Sequence, residues 1–200
     1  MKKIPSVFVR DRDGDKLYTE QVTPGCEWVL AGEGIATLKW DGTACMVRDG
    51  VLYKRYDRRG KGGKTKPEPL GWIACDEAPD PMTGHWPGWM PVGPGPEDRW
   101  HRAAFERYSM LFGRTYELVG PKVNGNPHRL ERHCLWMHGD YCLREEIGRS
   151  RSGVLSLVSG ARDWMRHADA EGIVFHHPDG RMAKATRRGF GMEWPVRGGA

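Results

Sequence analysis

EWVLAGEGIATLKWDGTACMVRDGVLYKRYD, residues 27–57, is the stretch on which the fold turns. Its apolar residues come in short runs broken by Gly32, Gly34, Gly42 and Gly50, a pattern of brief strands. Glu27–Leu30 is short and apolar and reads as strand. Residues 35–40 follow as a second strand. Thr43–Arg48 and residues 51–56 flank Asp49-Gly50, a strong two-residue hairpin signal. The whole stretch is expected to form an antiparallel meander.

Outward from there, residues 57–69 (DRRGKGGKTKPEP) form a basic, glycine-rich loop. Residues 76–98 hold most of the prolines and are too rich in Trp and Met for a solvated linker, so an ordered surface loop packed by its aromatics is expected. Asp98 is placed to cap a helix reaching about Phe112, with Trp100, Ala104, Tyr108 and Leu111 along one face. Thr115–Val119 (TYELV) reads as a strand. Residues 150–169 read as an amphipathic helix whose apolar side carries Val154, Leu157, Val158, Ala161, Trp164, Met165 and Ala168. Residues 172–177 and 181–186 form a second hairpin around Pro178-Asp179-Gly180. Two helices among many short strands predict an α+β fold in one domain spanning residues 1–200.

Composition narrows the class. Two hundred residues with 27 glycines and 14 prolines favour strands and turns over a helix bundle. No apolar run approaches the ~18 residues of a membrane span, so no membrane partner is expected. The N-terminus MKKIPSVFVRDRDGD has no apolar core of a secretion signal. Five cysteines without a CxxC pair read as free thiols, and with the missing signal they predict a cytoplasmic protein. The net charge of +5 permits a polyanionic partner without establishing one.

Two motifs are set aside. GKGGKT at 60–65 resembles a phosphate loop, but Arg58 stands where its first glycine belongs and Pro67 and Pro69 block the helix that must follow. His133, Cys134, His138 and Cys142 are close in sequence, but their spacing fits no standard zinc finger, and buried thiols and partly exposed imidazoles are the plainer reading.

The chemistry rests on Lys39-Trp40-Asp41-Gly42. On a strand Lys39 and Asp41 share a face, and Gly42 admits a sharp turn or a close backbone approach. A lysine amine freed of its proton by neighbouring cations and partial desolvation is a nucleophile for phosphorus. Alone, the pattern equally describes a lysine lying along a strand end. Lys54-Arg55 on the next strand, Glu117 in TYELVGPKVNGNP, Glu171 opening EGIVF and Lys184 in RMAKATRR extend it.

In that order the motifs resemble those of the covalent nucleotidyltransferases, the ATP-dependent polynucleotide ligases and mRNA capping enzymes. TYELVGPKVNGNP, then RxExHxLxxHG, then KxxRRxFGxxWP is most similar to a small RNA ligase family that includes an animal 5′-to-3′ RNA ligase. The resemblance runs from about residue 25 to Pro195. It implies an ATP-grasp-like nucleotidyltransferase domain, with antiparallel sheets around a nucleotide cleft and flanking helices; with only VRGGA after Pro195, no C-terminal OB domain is expected.

The resemblance also implies roles. Lys39 is the nucleophile that forms lysyl-AMP. Arg55 contacts ribose or phosphate, and Glu117 holds the ribose. Glu171 positions lysine and metal, and Asp41 contributes to nucleotide and metal binding. Lys184 holds the α-phosphate. The implied cofactors are ATP and Mg²⁺, with Mn²⁺ as a substitute, and the implied partners are the 5′-phosphate and 3′-hydroxyl ends of RNA.

The last motif departs from the family. Thr186 stands where a second lysine is usual, so Arg187 or Arg188 is left to supply that charge to the nucleotide. Leu38 before the nucleophile cannot read adenine by hydrogen bonding. Two hairpin registers stay open: a two-residue loop sets Lys184 on the face of Glu171, and a three-residue loop sets it opposite. The expected activity is ATP-dependent RNA ligation through lysyl-AMP and an adenylated 5′ end, in RNA repair. The alternatives are a DNA-end ligase, an RNA guanylyltransferase, or a noncatalytic nucleic-acid-binding module of the same fold.

Overall fold

The computed structural model describes residues 3–59, 64–107, 113–143 and 154–195. In chain order its elements are β1 (Phe8–Arg10), β2 (Tyr18–Val22), α1 (Glu27–Leu30), β3 (Ile35–Lys39), β4 (Thr43–Arg48), β5 (Val51–Asp57), β6 (Ile73–Ala74) and β7 (Pro87–Pro91). They continue with α2 (Arg99–Phe105), β8 (Thr115–Val119), β9 (Cys134–Met137), α3 (Val154–His167), β10 (Gly172–His176) and β11 (Met182–Thr186). The strand pairings are antiparallel, and the α+β expectation holds. Among the described residues no helix is long and apolar enough to cross a membrane.

The chain divides into two compact units. One is built on Gly42–His138, the other on Ile4–Asp41 with Gly139–Ala200. The first carries a six-stranded sheet in the order β6-β7-β5-β4-β8-β9. Its β4–β5 turn is the expected hairpin, with Asp49 (φ 51°) and Gly50 (φ 73°) both left-handed. One face packs Cys45, Val47, Leu52, Tyr116, Leu118 and Leu135 with Ala104 of α2.

The second unit carries a three-stranded sheet in the order β11-β10-β3. Its core face places Ala36, Ile173, Phe175, Ala183 and Ala185 with Ala161 and Met165 of α3. Phe8, Tyr18 and Phe190 close that core edge to face, with Tyr18 and Phe190 centroids 5.0 Å apart.

The meander is therefore only half present. The β4–β5 hairpin forms, but β3 pairs with β10 in the other sheet. Glu27–Leu30 is a single helical turn, not a strand. It follows the Pro24-Gly25 turn, the Glu27 carboxylate accepts the Gly25 N–H at 2.9 Å, and Trp28 and Val29 are buried. The proline-rich segment is ordered and packed by aromatics as expected, but it also holds β7, with Pro87 and Pro91 at the strand ends and Trp89 buried between them.

Helix α2 ends at Phe105, and Tyr108, Leu111 and Phe112 lie outside the described residues. Residues 150–153, the side chains of Val154 and Leu157, and residues 60–63 of the basic loop also lie outside them. Asp98 precedes α2 but makes no side-chain cap. Its carboxylate is taken instead by the Lys54 ammonium and the Gly93 N–H.

Candidate active site

Lys39 is the last residue of β3, and its strand partner on β10 is Gly172. Two residues back, Thr37 faces Val174, which faces Lys184 on β11. Side chains directly opposite in antiparallel strands lie on one face. Lys39, Thr37, Val174 and Lys184 therefore occupy one face of the three-stranded sheet, opposite the α3 core.

The hairpin takes the register with Val174 opposite Lys184, the one that strict alternation associates with Lys184 facing away from Glu171. Alternation does not decide the outcome, because β10 begins at Gly172 and Glu171 sits in the bend before it. From that bend its carboxylate reaches the Lys39 Nζ at 2.5 Å. Burial, reinforced by the charge of Asp41, holds the Glu171 carboxyl above the ordinary glutamate range against the opposing pull of Lys39 and Lys184. Lys39, Glu171, Asp41 and Lys184 thus form one electrostatic set.

Asp41 is not on the strand with Lys39, since β3 ends at Lys39. The indole Nε1–H of Trp194 holds its carboxylate at 2.8 Å. Sequence reasoning quoted Trp194 in FGxxWP but gave it no part. Asp41 and Glu171 offer hard oxygen donors, and the charge of Asp41 helps raise the Glu171 pKa. That donor set fits a small divalent cation that keeps much of its water.

Arg187 is turned elsewhere. It is buried, and its guanidinium donates to the carbonyl oxygens of Met165, Ala168 and Ala170 at the C-terminal end of α3. These bonds tie the turn after β11 to the C-terminal end of α3 and leave Arg187 out of the Lys39 set.

Gly42 begins the other unit, and its N–H donates to Glu117 Oε1 at 3.1 Å. A Cβ on Gly42 would stand 2.2 Å from the Leu118 carbonyl oxygen, so the backbone approach that holds this contact admits only glycine. The Asn124 side chain donates to the Gly42 carbonyl at 2.9 Å. The second Glu117 oxygen meets His138 Nε2 at 2.8 Å. His138 Nδ1 is buried and, among the described residues, has no hydrogen-bond partner.

In the sequence His138 entered only as part of RxExHxLxxHG and in the set-aside group with His133, Cys134 and Cys142, with no link to Glu117. The available signal was alternation: β9 pairs Trp136 with Glu117, so the residue two beyond Trp136 returns to the face of Glu117.

Cys45 pairs with both Lys54 and Tyr116, so Lys54 lies on the core face of the six-stranded sheet while Arg55 and Glu117 lie on the other. The Arg55 guanidinium lies over Trp89, 5.5 Å from the ring centroid, and donates to Cys75 Sγ at 3.5 Å. The sheet neighbours of β5 are β4 and β7, not β3. His133, Cys134, His138 and Cys142 do not converge, and among the described residues no group of three or more His, Cys, Asp or Glu side chains is arranged to hold a metal ion. All five cysteines are free thiols.

An amine, its carboxylate partner and a second lysine thus come together in an α+β chain, a charged group suited to an anionic ligand. Comparison with known proteins makes the class specific. Residues 104–199 match the family model described as RNA ligase 1. Proteins named RNA ligase 1 from Rattus norvegicus and Mus musculus are each 27% identical to this chain, over 98% of it and 82% of their own length. The Pongo abelii RNA ligase 1 is 30% identical over 66% of this chain and 50% of its own. These likenesses support an RNA ligase family for the chain.

Proposed function

We propose that this chain is an ATP-dependent RNA ligase of the covalent nucleotidyltransferase kind, joining 5′-phosphate and 3′-hydroxyl ends through lysyl-AMP. The observation that carries the reading is the Lys39–Glu171 contact on a sheet face shared with Lys184, in a chain whose relatives are named RNA ligases.

In the first step the Lys39 amine attacks the α-phosphorus of ATP. A nitrogen–phosphorus bond forms, the bond to pyrophosphate breaks, and the amine gives up a proton. Glu171 is the acceptor at hand, and burial makes its carboxylate more basic than an ordinary one. Lys184 steadies the charge that grows on the α-phosphate oxygens. Glu117, oriented by Gly42 and His138, holds the ribose, and Arg55 meets ribose or phosphate. Asp41 and Glu171 would hold Mg²⁺, which supplies charge neutralisation to the departing pyrophosphate.

In the second step the 5′-phosphate of RNA takes AMP from Lys39. In the third a 3′-hydroxyl attacks that adenylated end and releases AMP. Each step exchanges one bond to phosphorus for another, so no oxidant or reductant is needed.

The test is incubation of the full chain with ATP radiolabelled at the α-phosphate and Mg²⁺. The wild type should acquire covalent label, Lys39→Ala should acquire none, and peptide mapping should locate AMP on Lys39. Label in Lys39→Ala removes Lys39 from the mechanism, and no label in the wild type favours a noncatalytic binder. Labelled GTP separates a guanylyltransferase, and matched RNA and DNA ends separate the two ligases.

A further inference from the structure

The unit of Gly42–His138 carries a second feature, built from residues with no part in the proposed adenylation chemistry. A cleft of about 340 Å³ is lined by Trp100, Arg107, Lys122, Glu131, Arg132 and His133 among others. Its wall is pre-built: the Trp100 and His133 rings stack 4.5 Å apart at 12°. The Lys122 N–H donates to His133 Nε2 at 3.3 Å, which ties the turn after β8 to that wall. Burial, and then the charge of Lys122, keep the His133 pKa below its ordinary value, so the ring serves Lys122 as a neutral acceptor.

Three cations face one carboxylate here. Arg107, Lys122 and Arg132 are exposed and, among the described residues, make no ion pair; Glu131 is the single acid in the lining. Arg99 adds charge beside the wall, 4.5 Å from the Trp100 ring centroid. Exposed cations gathered around a rigid wall, with no ion pair among the described residues, favour a flexible polyanion. The volume is at the small end of the ~300–1,000 Å³ typical of ligand sites, enough for a short stretch of single strand and too small for a duplex.

We propose that this cleft is a strand-holding subsite for the RNA being sealed, in which Lys122, Arg132 and Arg107 contact consecutive phosphodiesters. The inference rests on the reading of the chain as an RNA ligase, but it concerns residues with no part in lysyl-AMP formation. Such contacts are blind to base sequence and fix the strand's position.

The test uses the full chain and a fluorescein-labelled, 5′-phosphorylated single-stranded RNA, with binding followed by anisotropy across a salt series. Each phosphate contact on a single strand contributes about 0.7 to the slope of log affinity against log salt. The double variant Lys122→Ala/Arg132→Ala should lose roughly 1.4 from that slope and bind roughly tenfold or more weakly at low salt. Glu131→Gln should bind more tightly. Lys122→Arg/Arg132→Lys should keep the wild-type slope, and ATP labelling of Lys39 should be unchanged in every variant.

An unchanged slope in the double-alanine variant overturns the proposal, as does loss of Lys39 labelling in it. Competition by polyglutamate as strong as by unlabelled RNA also overturns it, in favour of an acidic protein partner. If the wild type binds RNA with the expected slope but takes no label from ATP, the ligase reading fails and the subsite stands.

Discussion

Lys39 and Lys184 stand on the same face of one sheet, on the two strands that flank β10, staggered by two residues because Lys39 is opposite Gly172 and Lys184 is opposite Val174. Two amines fixed to separate strands of one sheet keep their separation without help from loops. Gly172, opposite Lys39, lets the β11 backbone come close to the place a Cβ would take.

Replacing Lys184 with Ala should leave the fold intact, since its backbone bonds to Val7 and Pro5 remain. Loss of one pre-positioned charge at a developing anion typically costs about 10²–10³ in rate. Single-turnover labelling with ATP should slow by that order, with Lys184→Arg between the two. Near-normal labelling of Lys184→Ala assigns the α-phosphate contact to another residue.

Glu171 makes a prediction with opposite signs for activity and stability. Its folded pKa is raised, chiefly by burial. Its contribution to stability is therefore full below the ordinary glutamate value and is lost as pH rises through the raised value. Glu171→Gln should leave the melting temperature at neutral pH unchanged or higher, while ATP labelling falls steeply. The wild-type labelling rate should decline in acid at a pH above the ordinary glutamate range, and the variant should lack that limb. A variant that melts lower and keeps its acid limb shows the residue to be structural.

What could be read in the sequence divides by distance along the chain. The β4–β5 and β10–β11 hairpins were legible because alternation and turn residues are local. The partner of β3 was not, because the pairing of Lys39 with Gly172 spans most of the chain and leaves no trace in either segment. Glu27–Leu30 misled because four apolar residues fit one helical turn as well as a short strand. Lys39, Glu171 and Lys184 were singled out by motif; the common face of Lys39 and Lys184 follows from the register, and Glu171 reaches Lys39 from the bend before β10. Arg187 was misplaced because a cation next to a motif lysine looks the same in sequence whether it turns to a ligand or to the carbonyls ending α3.

Gly172 tests the sheet itself. A Cβ there would lie 2.1 Å from the Ala185 carbonyl oxygen and 2.9 Å from the Thr186 Cα, both backbone and unable to yield cheaply. Gly172→Ala should destabilise the unit by about 1–3 kcal/mol, the usual cost of overpacking. It should also disturb Lys39, the strand neighbour of Gly172. A lowered urea midpoint with reduced ATP labelling is expected, and a midpoint equal to wild type refutes the tight approach of β10 to β11.

Asp98 offers a prediction confined to the other unit. Burial alone would raise its pKa, but the Lys54 ammonium, the Gly93 N–H and His101 together pull it below the ordinary aspartate value. A depressed folded pKa means that its stabilising contribution is present above the ordinary value and is lost as pH falls through the lowered one. Asp98→Asn keeps an acceptor for Gly93 but strands the largely buried Lys54 charge, which should cost about 3 kcal/mol at neutral pH. The stability gap between wild type and variant, from urea unfolding with unchanged m-values, should narrow progressively in acid. A gap that stays constant with pH assigns the loss to packing, and a variant as stable as wild type at neutral pH shows that Lys54 finds water when its partner is gone.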